Sequence, residues 1–252
     1  MTGLTALSLL ELRAMAKTWH RYALPLALPV FAVLSVVTSR FAPEIIRAIG
    51  GDAYAGVVVP KPSWQEAYGQ WAKNLSQMAV FIAIFAGASA TSSLITSGQA
   101  QLLAVRPVSR AAQPLAALLA RTVVLGIALV LGTVTMGALT SAVYPGAHAG
   151  PLVSASLAWS VCAFVMLALA VAFSAITGST LAAVGVTIGV YFLFSLLALV
   201  DSVARYSPAG LMSLPTSLAS GDGWQAIPPL TGVLFAAACL AWAARSFARR
   251  EL

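Results

Sequence analysis

From Thr122 to Val200 the chain runs for 79 residues without one Asp, Glu, Lys or Arg. A soluble domain carries about a quarter charged residues, so a run of this length has no counterpart in one. A helix that crosses a bilayer needs ~20 apolar residues, and the run therefore holds about three crossings. Its breaks are legible at Tyr144-Pro145-Gly146-Ala147-His148-Ala149-Gly150-Pro151 and at Thr177-Gly178-Ser179-Thr180, because Pro and Gly interrupt helix propagation. Shorter charge-free stretches occupy 22–39, 74–105 and 223–244. Together they predict an all-α membrane protein with six transmembrane helices, at about 22–40, 74–97, 114–142, 152–176, 180–201 and 226–245. The runs are apolar on every face, which excludes the alternating strands of a membrane barrel.

Composition supports a single transmembrane domain over 1–252. The 252 residues are 60% hydrophobic and 8% charged, with mean hydropathy +0.92. That excludes an ordinary soluble enzyme, a disordered chain, a coiled coil and a disulfide scaffold. Cys162 and Cys239 sit inside apolar runs, and His20 and His148 have no ligand cluster around them. No catalytic, cofactor-binding or metal site is expected. The apolar run after Arg13 ends without an A-x-A pattern, so it reads as a retained span and not as a cleaved signal.

The net charge of +7 reports orientation. With both termini on one side, that side holds nine Lys or Arg against two acids, and the other holds five against five. Lys and Arg collect on the cytoplasmic side, so both termini are expected there.

The segments between spans carry further detail. In 1–21, Leu4, Leu7, Leu10 and Ala14 recur at helical spacing within 4–19, as in a cytoplasmic interfacial amphipathic helix. The expected outer loop 41–73 contains Ser63 and Glu66 in capping-box spacing, followed by Trp64, Tyr68 and Trp71 on one helical face. Such an aromatic stripe reads as a headgroup anchor. The second outer loop, 202–225, is too apolar at Leu211, Met212 and Leu214 to be fully solvated and is expected to fold back partly into the membrane. On the inner loop 98–113, Leu102, Leu103 and Val105 form an apolar ridge between basic flanks, with Pro107 ending it and Ser109 capping the next helix. A ridge of this kind suits docking to a partner or to lipid heads.

Within the spans no Asp, Glu, Lys or Arg falls at mid-membrane. Arg121, near the inner end of the third, is expected to snorkel to the interface. This disfavours ion-coupled carriers and proton pumps, which keep ionisable groups inside the bundle. No G-x-x-x-x-G-K-[ST] sequence is present, so ATP is not bound by that route. Hydroxyls cluster at Ser89, Ser92 and Ser93 on the second span and at Thr187, Tyr191 and Ser195 on the fifth, beside Gly185-x-x-x-Gly189. They form either a weakly polar translocation surface or a close-packed contact. On the residues alone, a self-contained carrier or channel and a non-transporting assembly factor stay open beside a partner-driven transporter.

The segment Gly98-Gln99-Ala100-Gln101-Leu102-Leu103-Ala104-Val105-Arg106-Pro107-Val108-Ser109-Arg110 resembles the cytoplasmic segment of type-2 ABC-transporter permeases. Glu11-Leu12-Arg13 in the N-terminal helix, Tyr206-Ser207-Pro208 before the last span and the ending Phe247-Ala248-Arg249-Arg250-Glu251-Leu252 are similar too. Gln99 and Gln101 depart from the glutamates common in that family. The resemblance implies the membrane subunit of a bacterial inner-membrane exporter of a drug, peptide or lipid-like compound. Its partners would be a second permease chain and a separate ATP-binding subunit carrying ATP and Mg. That subunit would dock on Glu11, Arg13, Gln99, Gln101, Leu102, Leu103, Arg106, Pro107, Ser109 and Arg110, with 98–113 as the coupling loop. Spans one, two and five would line the dimer interface and the route.

Overall fold

Every regular element among the described residues is helical. The computed structural model describes residues 2–16, 20–50, 62–96 and 112–248. In chain order the helices are α1 (Thr2–Ala16), α2 (His20–Gly50), α3 (Trp64–Asn74), α4 (Val80–Thr96), α5 (Ala112–Val143), α6 (Ala149–Thr177), α7 (Thr180–Leu197), α8 (Asp201–Tyr206), α9 (Leu214–Ala219) and α10 (Ile227–Ala248). A π-helical turn, Leu75–Ala79, joins α3 to α4, and a 3-10 turn, Pro208–Met212, joins α8 to α9.

Among the described residues, five helices are long and apolar enough to cross a membrane: Tyr22–Ile45, Ala112–Val143, Ala149–Thr177, Thr180–Leu197 and Ile227–Ser246. The expected second span, 74–97, differs. Its apolar helix α4 has 17 residues and continues backward through the π turn into α3, so the backbone is helical from Trp64 to Thr96. The first span also runs past its expected end at 40 to Gly50, with Pro25, Pro29 and Pro43 inside it. The expected outer loop 41–73 is thus helical at both ends. The breaks at 144–151 and 177–180 fall where the sequence puts them. Gly146 and Gly178 take φ of +84° and +70°, a left-handed conformation that glycine adopts without a Cβ clash. Ser179 then caps α7, accepting from the Ala182 N–H at 3.4 Å.

Helix α6 is the centre of the bundle and packs against α4, α5, α7, α9 and α10. Buried residues make up 67% of its membrane window, against 28% for α7 and for α10. Its inward positions are small: Ala155, Ala158, Ala163, Ala168, Ala170 and Ala172 are fully buried. Small residues let backbones approach and gain dispersion contact in lipid, where no hydrophobic force separates helix from solvent. A Cβ on Gly87 would lie 2.8 Å from Ala170 Cβ and 2.9 Å from the Leu167 carbonyl oxygen. One on Gly132 would lie 2.8 Å from both Leu28 Cβ and Trp71 Cη2. By contrast, the Gly185 and Gly189 positions of α7 meet nothing within 4 Å, so that pair packs no helix among the described residues.

The expected loop 202–225 is a folded hairpin of α8, the 3-10 turn and α9, with its last residues, 220–225, uniformly exposed. Leu211, Leu214 and Leu218 are buried in the core, so the segment is not a fully solvated loop. In α1 the inward face differs from the expected stripe. Leu7 and Met15 are buried while Leu10 and Ala14 are exposed. Leu7, Glu11 and Met15, spaced by four, form the inward row, and its direction is set by Glu11, which reaches α5.

Gly132→Ala is expected to destabilise the bundle by about 1–3 kcal/mol through overpacking. Gly126→Ala, where the added Cβ meets nothing within 4 Å, should be neutral or slightly stabilising because Gly costs about 1 kcal/mol in a helix. Thermal unfolding of both variants in detergent checks this, and equal midpoints would refute the close-approach account.

Candidate functional site

The chemistry of the chain is displaced to the two ends of the bundle and to one seam between them. At the first end, Arg121 lies in α5 and is buried. It does not snorkel outward as expected. Its Nε donates to the Ala86 carbonyl of α4 at 2.7 Å, and its Nη1 donates to the Ala117 carbonyl at 3.1 Å. Nη1 also pairs with Glu11 Oε2 of α1 at 3.5 Å. A buried guanidinium needs a counter-charge and acceptors for its donors, and these three partners supply both. One side chain therefore ties α1, α4 and α5 together. Arg121 is the one buried Lys, Arg, Asp or Glu among the described residues.

The seam lies between α4 and α7, which pack against each other. Near the Arg121 end, Ser92 and Thr180 share a 2.6 Å hydroxyl bond, and the Ser92 N–H donates to Ser174 Oγ of α6 at 3.0 Å. Farther along, the Tyr191 hydroxyl donates to the Ser76 carbonyl at 2.6 Å. Ser76 lies in the π turn, where the Val80 N–H bonds Leu75 and not Ser76 as an α-helix would require. Phe81 meets the Tyr191 ring edge-on, with centroids 5.4 Å apart. Beside the seam, an apolar cavity of about 360 Å³ opens between α2, α4 and the start of α7. Leu24, Ile82 and Phe85 form its walls, and Ser89 and Thr180 are its hydroxyls.

At the opposite end, side-chain hydrogen bonds stitch α2, α3, α5 and α6. Asn74 Nδ2 donates to Ser35 Oγ at 2.9 Å, and Asn74 Oδ1 accepts from Gln70 Nε2 at 3.1 Å. Ser39 donates to the Ser63 carbonyl at 3.3 Å, which leaves Tyr144 as donor in the 3.0 Å bond to Ser39. Trp71 Nε1 donates to Ser156 Oγ at 3.1 Å. The Ser63 half of the capping box is present, with Ser63 Oγ accepting from the Glu66 N–H at 3.3 Å. The aromatic stripe that it starts is not a headgroup anchor, since Tyr68 and Trp71 are buried in the core.

Of the residues singled out for docking, Glu11 is half-buried on Arg121 and Arg13 is exposed on the same helix. Gln99, Gln101, Leu102, Leu103, Arg106, Pro107, Ser109 and Arg110 lie outside the described residues. Of the hydroxyls, Ser92, Thr187 and Tyr191 are buried, while Ser89 and Ser195 are half-buried. Thr187 and Ser195 donate to carbonyls of their own helix, Ala183 at 2.8 Å and Tyr191 at 2.9 Å. Ser93 falls on α4, outside the described side chains. Within one chain, Ser92 and Tyr191 close a seam, and Ser89 faces the cavity. Sequence reading missed the Glu11–Arg121 pair. Its signal was present: Glu11 is the one acid before the first span, and Arg121 the last charge before 79 uncharged residues.

The chain belongs to the family described as Protein of unknown function (DUF2705), whose sequence model matches residues 54–250. No curated protein matches the chain.

Glu11→Gln strands the Arg121 charge and is expected to cost about 3 kcal/mol of stability. The double change with Arg121→Met should recover most of that loss, because breaking a buried pair costs more than removing it. A double-mutant cycle on detergent unfolding measures it. A single variant as stable as the parent would remove the pair from the account.

Proposed function

We propose that this member of the DUF2705 family is the membrane-spanning subunit of an ATP-driven exporter. It works with a separate ATP-binding subunit and a second membrane chain. The observation that carries the reading is the junction at Arg121. Its guanidinium joins α1 to α4 and α5, the two helices that flank the segment 97–111. A partner that pushes on α1 or on that segment therefore moves α4 and α5 together. The same junction weakens the case for ion coupling, because the one buried charge among the described residues is already held by Glu11. Energy then has to come from outside the chain. The resemblance of 98–110 to the coupling segment of type-2 permeases names the source.

In this reading the helix from Trp64 to Thr96 is the sixth crossing, both termini are cytoplasmic, and α1 lies along the inner face. Glu11 and Arg13, with Gln99, Gln101, Leu102, Leu103, Arg106, Pro107, Ser109 and Arg110, form the docking surface. ATP and Mg belong to the partner, whose closure on ATP drives the change of shape. The apolar cavity between α2, α4 and α7 suits an amphipathic cargo, with Ser89 and Thr180 as its hydrogen-bonding groups. Ser92, Thr187, Tyr191 and Ser195 extend along the same seam, whose opening would expose them, and Ser93 completes the proposed translocation surface.

Leu102→Asp with Leu103→Asp is expected to abolish co-purification of a stoichiometric ATPase from native membranes, while the chain still inserts and folds. Retention of that ATPase by the double variant would reject the docking surface. A parent chain that purifies alone, and moves solutes in liposomes without ATP, would reject the exporter and support a self-contained carrier.

A further inference from the structure

The transport reading makes no use of the end of the bundle away from Arg121, and that end holds a polar cavity. A cleft of about 430 Å³ lies between α2, α3 and α9. Glu66 and Lys73 line it from α3, Thr38 from α2, and Thr216 and Ser220 from the α9 hairpin. We propose that this cleft binds a compact zwitterion, with an ammonium group and an anionic phosphate or carboxylate carried on one molecule.

Three observations lead there. The first is charge. Glu66 and Lys73 are both exposed, and neither has an ionic partner among the described residues. They stand seven residues apart, roughly 10 Å along the helix axis. That is too far for a direct contact and near enough for one small molecule to meet both. The second is hydrogen-bond polarity. Thr38, Thr216 and Ser220 donate their hydroxyl protons to carbonyls of their own segments, at 2.7, 2.7 and 3.1 Å. Their lone pairs are left as acceptors, which suit an ammonium. With Glu66 they make an acceptor-rich wall, and Lys73 is the cationic partner for an anion. A simple anion or a simple cation would satisfy only half of the site.

The third is Gly69, which lines the cleft between the two charges. Glycine inside a helix costs about 1 kcal/mol relative to alanine. The usual reasons for that cost are a positive φ or a close approach, and Gly69 has neither. Its φ is not positive, and an added Cβ meets nothing within 4 Å. What the missing side chain provides is the open floor of the cleft.

Such a zwitterion can come from a phospholipid headgroup or from a short peptide. The test uses the full chain in detergent and follows the unfolding midpoint against added glycerophosphoethanolamine, triglycine, ethanolamine and glycerol phosphate. A zwitterion is expected to raise the midpoint saturably, more than either single-charge compound does. Glu66→Gln and Lys73→Met should each weaken that binding about tenfold, the value of one charged hydrogen bond. Gly69→Leu should abolish the response while leaving the midpoint without additive equal or higher, which separates a filled cleft from a damaged fold. A response to glycerophosphoethanolamine alone assigns a lipid headgroup, one to triglycine alone assigns a peptide, and both together assign the charge pair. The proposal is overturned by no zwitterion response, by a response no larger than that to the single-charge compounds, or by one that persists in Gly69→Leu. None of these outcomes bears on ATPase docking, which involves the opposite end.

Discussion

Backbone contact across small residues is the constraint on which the rest of this structure depends. Helices in lipid are not driven together by the hydrophobic effect, because the tails around them are as apolar as their side chains. They hold by dispersion, which falls off within an ångström of contact. Alanines of α6, with Gly87 and Gly132 on its neighbours, bring α2, α4, α5 and α6 close enough for that attraction to accumulate. Gly232 of α10 does the same beneath the hairpin, where an added Cβ would lie 2.5 Å from Leu211 Cδ1.

A core this tight has little room for polar groups, and their placement follows. Mid-helix hydroxyls mostly bond the carbonyl one turn back, as Thr187 does to Ala183, so they need no space of their own. Most groups that bond a partner on another helix stand toward the ends. Arg121 is met by Glu11 and Ala86 at one end, and Asn74, Ser39 and Trp71 bond across helices at the other. The polar ends and the dry centre are thus two consequences of one packing rule.

The same rule explains what could be read without coordinates. Helix class, turns at Gly146 and Gly178, the Ser63 cap and the sheltering of Leu211 and Leu214 all rest on local chemistry, which sequence carries directly. Direction is harder. Trp64, Tyr68 and Trp71 share a face whether that face looks to headgroups or to the core. Only the partner Ser156, 85 residues from Trp71, decides it. Arg121 likewise has a snorkelling and an inward solution, and Glu11, 110 residues away, selects the second. The π turn has no residue signature in Leu75–Ala79, so α3 and the second span appear in sequence as a loop helix and a separate span when they are one element. At the candidate sites the same limit applies. The hydroxyls of α4 and α7 were legible as a cluster, but the cavity at Ser89 and the cleft around Gly69 are made by helices distant in sequence.

That one element joins the two ends of the molecule. Gln70, Trp71 and Asn74 fix its first turns in the polar layer, and Ala86 and Ser92 fix its last turns to Arg121 and Thr180. Between them lies the π turn, whose wider hydrogen-bond ring is less favourable than an α turn and tends to occur where function needs it. Here the irregularity has a definite partner, since Ser76 offers its carbonyl to the Tyr191 hydroxyl of α7. A hydrogen bond in a dry interior is strong while made and costly when left open. Sliding α7 along the seam must therefore break that bond or carry the π turn with it. A rearrangement carried from Arg121 along this element would reach the polar layer through these five residues.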